Sequence, residues 1–152
     1  MAKYFTIEEL TYSPTAVSKK IDNTPTANEK KNLIELMEVL DAIREEWTVT
    51  CKINDWGSGS IIVNSGYRCN ALNKAIGGSK TSAHLLGYAV DIVPKNGRSK
   101  EFFDFLDIYL LTNNIKFDQL INEKPVDGVP SWVHLGLKNN KGEQRNTVFT
   151  IK

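Results

Sequence analysis

The sequence predicts an α+β domain in which a small antiparallel sheet is flanked by helices, and three observations lead to this prediction. Apolar residues at three- and four-residue spacing indicate two major helices. Short apolar or alternating runs bounded by turn-forming residues indicate strands. Most of these runs lie in the second half of the chain, as expected for an α+β arrangement. With 152 residues, 41% of them hydrophobic, the chain suits one domain spanning residues 1–152.

Capping signals and apolar spacing predict the helices. Thr6 with Glu9 forms a capping box for a short first helix, and Thr26 with Glu29 forms a stronger one. Behind the second box, one buried helix face is predicted from Leu33, Leu36, Met37, Leu40, Ile43 and Trp47. Two further helices are predicted at residues 70–76 and 99–114.

The predicted strands follow the first helices. The apolar or alternating segments are residues 61–63, 88–93, 117–122, 132–137 and 147–151. We expect the last three to belong to an antiparallel sheet. The stretch Ile21 to Asn28 is rich in Pro, Thr and Asn, and it is predicted to be a loop between helices.

Composition excludes several classes of function. Nineteen Lys and Arg residues face 18 acidic ones, a formal charge of +1, which argues against a nucleic-acid partner held by bulk charge. No apolar run has membrane length, and Met1 to Phe5 run into Glu8-Glu9 without a signal-peptide core. We therefore expect a soluble monomer made in a cytoplasm. Cys51 and Cys69 are predicted to be free thiols.

The segment from Ser82 to Asp91 carries the most chemical information. It places the imidazole of His84 and the carboxylate of Asp91 at the two ends of a turn that contains Gly87. Both groups suit zinc. A straight strand would hold them about 23 Å apart and a helix about 10 Å, so joint ligation requires the chain to bend. We predict that the bend lies at Gly87.

The second histidine of the chain, His134, lies in the predicted buried strand from Trp132 to Leu137. An unpartnered imidazole would be costly there, and metal ligation would explain its position. Two imidazoles and one carboxylate also leave a fourth zinc position for water, as in catalytic sites. On spacing alone, however, such a triple is more often structural than metal-binding.

Three motifs, taken in order, resemble those of the zinc D-Ala-D-Ala carboxypeptidase and L-Ala-D-Glu endopeptidase family. These are Ser65-Gly66-Tyr67-Arg68, Ser82-x-His84-x-x-Gly87-x-Ala89-x-Asp91 and Trp132-Val133-His134. The family includes phage endolysins and vancomycin-resistance dipeptidases and shares its fold with the hedgehog signalling domain. The resemblance extends to the N-terminal segment, where the chain is similar to the short single-domain branch of the family. It implies that His84, Asp91 and His134 bind Zn²⁺.

The resemblance also implies a role for Arg68, whose guanidinium would bind a substrate carboxylate or stabilise a developing oxyanion. The alternative is an ordinary surface arginine. Ser82 is a candidate donor of a hydrogen bond to the substrate, and a capping serine is the equally supported alternative.

The catalytic base is the point at which the match is uneven. Many relatives carry an acid three residues before the last histidine, where this chain has Ser131, whose hydroxyl cannot act as a carboxylate base. Glu123 and Asp127 lie nearby in the sequence. We choose Glu123, because the segment from Phe117 to Glu123, followed by the strand with His134, resembles the hedgehog branch of the fold, in which the glutamate comes from the end of the preceding strand. An antiparallel partner strand would bring Glu123 across from His134. A solvated loop glutamate is the alternative.

The resemblance implies a zinc metallopeptidase that hydrolyses an amide bond in peptidoglycan stem peptides, as a carboxypeptidase or an endopeptidase. Without a signal peptide, a phage or prophage lysin that reaches the cell wall after release is expected, and a component of a phage particle fits equally. A rival remains open, in which the chain is a zinc-containing binding or phage structural module without hydrolysis. Neither a nucleic acid nor a membrane is an expected partner.

Overall fold

The computed structural model describes residues 3–152, so Met1 and Ala2 of the N-terminal segment lie outside the described residues. Within this range the helices are α1 (Ile7–Thr11), α2 (Pro14–Ser18), α3 (Ala27–Asn54), α4 (Asn70–Ala75) and α5 (Ser99–Thr112), with a 3₁₀ helix at Ala83–Leu86. The strands are β1 (Ile61–Ser65), β2 (Ala89–Pro94), β3 (Gln119–Glu123), β4 (Trp132–Gly136) and β5 (Thr147–Ile151). The predicted α+β class is confirmed.

The strands of residues 3–152 form one sheet in the order β1-β2-β4-β3-β5. The first three pairings are antiparallel, but β5 pairs with β3 in parallel. The expectation of a wholly antiparallel sheet is therefore wrong at β5. The segment after β4 passes alongside the start of β3 before β5 begins, where the backbone N–H groups of Asn146 and Thr147 bond Phe117 and Asp118. From there β5 runs in the same direction as β3.

The helix α3 forms as its capping box predicts. The hydroxyl of Thr26 accepts a hydrogen bond from the backbone N–H of Glu29, and Asp55 ends the helix in a left-handed conformation. The predicted apolar face is buried in full, and Cys51 extends it by one further turn. Cys51 and Cys69 form no disulfide, as predicted. Within residues 3–152, no helix combines the length and the apolar character needed to span a membrane.

The two faces of the sheet have different environments. Alternation along the strands sends one set of side chains into the hydrophobic core with α3 and α5: Val90, Ile92, Leu120, Val133 and Leu135. The opposite face carries Asp91, Ile121, Glu123 and His134, because residues two apart share a face and paired residues lie side by side. The core therefore fixes the strands whose other face carries the candidate site.

Candidate metal centre

The bend that brings His84 to Asp91 lies at Gly87, as predicted. His84 is on the 3₁₀ helix, which ends at Gly87 with φ of 78°, and β2 begins two residues later. A Cβ at residue 87 would lie 2.7 Å from the carbonyl oxygen of Glu29 at the start of α3. Glycine is needed both for the backbone conformation and for this close approach.

The sheet brings the other two candidate ligands together. Asp91 on β2 is directly paired with His134 on β4, so their side chains lie next to each other on the same face. Oδ1 of Asp91 lies 3.0 Å from Nδ1 of His134, and Oδ2 lies 3.4 Å from Nε2 of His84. His84 and the paired residues therefore form one cluster, with ligand atoms that all lie within 4.8 Å of one another.

Hydrogen bonding fixes the orientation of His84. Its Nδ1 lies 2.7 Å from the carbonyl oxygen of Gly66, which can only accept, so Nδ1 carries the proton. In the neutral ring, Nε2 then presents a lone pair to the carboxylate of Asp91. Two acceptors that face each other repel unless a cation lies between them. Burial lowers the pKa of His84, which disfavours the imidazolium form and leaves a metal ion as the fitting occupant.

The spacing of the candidate ligand atoms agrees with the interpretation that a metal ion occupies this cluster. Tetrahedral zinc with bonds of 2.0–2.1 Å separates its ligand atoms by about 3.3 Å, close to the distances between Asp91 and its neighbours. Burial alone would raise the pKa of Asp91, but the hydrogen bond with His134 is the largest effect in the opposite direction, and that pKa is held well below its usual range. The cluster thus offers an ionised carboxylate and two imidazoles, a donor set suited to zinc.

Arg68 lies beside this cluster and is tied to it through the backbone. Its N–H donates to the carbonyl of His84 at 3.1 Å, and its Nη2 lies 3.4 Å from the hydroxyl of Ser82. Burial lowers the pKa of Arg68, while the nearby charge of Asp91 acts in the opposite direction. The hydroxyl of Ser82 also accepts from the N–H of His84 at 3.2 Å, so the capping function expected as one alternative is present.

The candidate acids occupy different positions. Glu123 ends β3, pairs with Trp132 and shares a sheet face with His134, two residues from direct pairing. Burial raises its pKa, and the charges of His134 and Asp91 act on it with opposite signs. Asp127 is exposed, with φ of 52°, in the turn between β3 and β4. The geometry brings Glu123 towards the cluster and leaves Asp127 in the turn.

Ser131, at the position where the resemblance led us to expect an acid, is engaged elsewhere. Its hydroxyl donates to the carbonyl of Lys124 at 2.6 Å and its N–H bonds the carbonyl of Glu123 at 3.0 Å. These two bonds close the base of the turn between β3 and β4. Ser131 therefore supports the end of β3, where Glu123 lies.

A polar cleft of about 550 Å³ adjoins the cluster and is lined by residues that include Ser82, Asp118, His134 and Lys141. Sequence reasoning did not identify Asp118, whose buried carboxylate receives two bonds from the guanidinium of Arg145, at 2.7 and 2.9 Å. No local signal could have found this pair, because 27 positions separate its members and β5 brings them together.

Gly136 is a second residue of the site that the sequence did not reveal. It lies two positions after His134 on the same sheet face, and a Cβ there would be 3.3 Å from Nε2 of His134. The missing side chain leaves room for the ring.

The fold is of the α+β class, and its site has three side chains that could hold a metal ion and would leave a coordination position open. The Peptidase M15 family model matches residues 3–118, and the chain belongs to this family. Membership implies a zinc metallopeptidase. The matched span contains Arg68, His84 and Asp91, whereas Glu123 and His134 follow it. No curated protein sequence matches the chain significantly.

Proposed function

We propose that this chain is a zinc peptidase that hydrolyses an amide bond in peptidoglycan stem peptides, as a DD-carboxypeptidase or an L-Ala-D-Glu type endopeptidase of the phage or prophage lysin kind. The observation that carries the proposal is the cluster of His84, Asp91 and His134 with Glu123 on the same sheet face. A stem peptide offers both the amide bonds and the carboxylates that such a site can use.

In this proposal His84, Asp91 and His134 hold the ion, and Glu123 and Arg68 act on the substrate. When bound, zinc supplies Lewis-acid polarisation of the scissile carbonyl and lowers the pKa of a water molecule. Glu123 accepts a proton from the attacking water and returns it to the leaving amine. The raised pKa of Glu123 lies nearer to neutral pH, where one group can both accept a proton and donate it again.

Arg68 supplies the positive charge that the substrate meets. A guanidinium can pair with a terminal carboxylate in two parallel hydrogen bonds, or stabilise negative charge that develops on the carbonyl oxygen. Ser82 lies between Arg68 and the backbone of His84 and lines the polar cleft, which supports a role in binding the substrate as well as in capping. The cleft suits a hydrophilic, extended peptide.

The direct test is turnover of purified peptidoglycan by the zinc-loaded protein, with the released peptides identified by mass spectrometry. Release of the terminal D-Ala indicates a carboxypeptidase, and a new N-terminus at D-Glu indicates an endopeptidase. The His134→Ala variant is the matched control and should release neither. Failure of the wild-type protein to release any fragment from cell walls would contradict the proposal.

A second candidate is a zinc-containing module of the same fold that binds peptidoglycan or a phage particle without hydrolysis. Ser131 favours it, because a hydroxyl that donates to the backbone carbonyl of Lys124 stands where the resemblance implies a catalytic acid. Zinc-dependent binding to cell walls without released fragments would support this candidate.

A further inference from the structure

Asn23 holds the loop that carries Arg68 with three hydrogen bonds from one side chain. Its Nδ2 donates to the carbonyl of Thr11 at 2.8 Å and to the carbonyl of Tyr67 at 3.0 Å. Its Oδ1 accepts from the N–H of Cys69 at 2.7 Å. The amide therefore bonds the residues immediately before and after Arg68 and ties both to the end of α1.

The chemistry of these bonds requires an amide side chain. Two donors meet two carbonyl groups and one acceptor meets an N–H, so a carboxylate or a hydroxyl satisfies only part of the set and a methyl group satisfies none of it. Asn23 lies in the loop between α2 and α3, 61 positions before His84 in the sequence, and contacts none of the three candidate ligand side chains through these bonds.

Further contacts make the Arg68 loop part of the candidate site. The N–H of Tyr67 donates to the carbonyl of Leu10 at 2.8 Å, and the hydroxyl of Tyr67 donates to the carboxylate of Glu29 at 2.6 Å. The loop also bonds His84 twice, through the carbonyl of Gly66 and the N–H of Arg68. Its backbone is thus immobilised on both sides of the arginine.

The side chain of Arg68 is held less completely than its backbone. Its Nε is buried and has no hydrogen-bond partner within residues 3–152, and its Nη2 makes a single long contact with Ser82. A half-buried guanidinium with unused donors is suited to an anionic group of a ligand, provided that its Cα is fixed in place.

We propose that Asn23 is a positioning residue that fixes Arg68 for the anionic group of the substrate. This inference rests on the proposed function, because it takes Arg68 to be the group that meets the peptide. A displaced guanidinium retains its charge but loses its geometry, and a displacement of about 1 Å can reduce a rate by about a hundredfold. Asn23 acts through Arg68 and does not touch the substrate.

The first measurement follows Arg68 itself and does not depend on activity. In the zinc-loaded protein, the ¹⁵N–¹H heteronuclear NOE of the Arg68 Nε reports the rigidity of the guanidinium. Asn23→Ala should lower it towards the value of the exposed Arg98, while the Nε of Arg145, held by Asp118, should not change. An unchanged Arg68 NOE in the variant overturns the proposal.

The second measurement is a double-mutant cycle on peptidoglycan hydrolysis. Asn23→Ala should lower kcat/KM by about tenfold or more in the wild-type background and by less than about twofold when Arg68 is already Ala, because the group that it positions is absent. Equal losses in the two backgrounds would mean that Asn23 acts on the fold in general, and would overturn the proposal.

Asn96→Ala is the matched control. Asn96 also orders a turn through both ends of its amide, bonding the thiol of Cys51 and the N–H of Arg98, but it lies after β2 and away from the Arg68 loop. It should leave kcat/KM within about twofold.

Should Asn23→Ala not fold, Asn23→Asp is measured in the same two ways, since it keeps the acceptor for Cys69 and removes both donors. If the wild-type protein hydrolyses nothing, the proposed function fails, and the NOE comparison still decides whether Asn23 positions Arg68.

Discussion

The loop that carries Arg68 and the turn between β3 and β4 both border the candidate metal centre, but the chain holds them in different ways. The Arg68 loop is bonded by Asn23, by the end of α1 and by His84. The turn beyond Glu123 is exposed at most of its residues and closed by Ser131 and a pairing of Val126 with Val129.

In the proposed hydrolytic site, this difference separates two tasks. The arginine and the ligands must keep one geometry, and they lie where several elements converge on them. Glu123, the proposed base, lies at the end of a strand beside a turn that is mostly exposed. The comparison predicts that changes in the turn are tolerated unless they touch Glu123.

The largest effect is expected at Glu123. Replacement with Gln keeps the size of the side chain and removes the proton acceptor, so turnover of peptidoglycan should fall by about a hundredfold or more while zinc stays bound. Asp127→Asn, in the exposed turn, is the matched control and should change turnover little. The reverse pattern would make Asp127 the base, and no effect from either would contradict the hydrolytic mechanism.

Removal of zinc should affect the stability of the whole domain. An ion that binds only the folded state contributes about 2.7 kcal/mol when its free concentration is about 100-fold above Kd. For a domain of this size, this corresponds to a fall in Tm of roughly 5–10 °C on chelation. Scanning calorimetry with and without chelator measures the shift, and the His134→Ala variant should show none. Coincident curves for the wild-type protein would count against a metal that links β2, β4 and the 3₁₀ helix.

Two glycines with nearly equal φ allow a direct comparison of the closely packed bend before β2 with the open turn between β3 and β4. Gly87 (φ of 78°) has backbone of α3 beside it, whereas for Gly128 (φ of 80°) in the turn no atom of residues 3–152 lies within 4 Å of the position that a Cβ would take. Gly128→Ala should cost about 1 kcal/mol of unfolding free energy for the left-handed backbone. Gly87→Ala should cost about 2–4 kcal/mol, because overlap with Glu29 adds to that strain. Equal costs in urea denaturation would show that the bend is not closely packed.

A smaller effect is expected at Asp118, which lines the cleft. The hydrogen bonds from Arg145 hold the pKa of Asp118 below its usual range. The pair therefore contributes stability above the unfolded pKa of about 3.9, and loses it as the pH falls through the lower folded value. Asp118→Asn should reduce the unfolding free energy at pH 7, and the difference from wild type should shrink below about pH 4. A difference that is constant with pH would contradict this ion pair.

Much of this arrangement could be predicted from the sequence because its signals are local. The capping residues Thr6 and Thr26, the apolar face of α3 and the bend at Gly87 depend on neighbours a few positions away. The parallel pairing of β5 and the bonds of Asn23 depend on contacts between distant segments. Apolar spacing contains no information on strand direction, and an amide in a loop has no recognisable partner in the sequence.

The zinc content of the purified protein tests the central claim most directly. Elemental analysis of wild-type protein, purified without chelator and then dialysed against zinc-containing buffer and finally zinc-free buffer, should find one zinc ion per chain. Glu123→Gln should retain it, and His84→Ala, Asp91→Ala and His134→Ala should each lose it, because two remaining ligands cannot hold the ion tightly. Wild-type protein that carries no zinc and takes up none would contradict the assignment of this cluster as a metal centre.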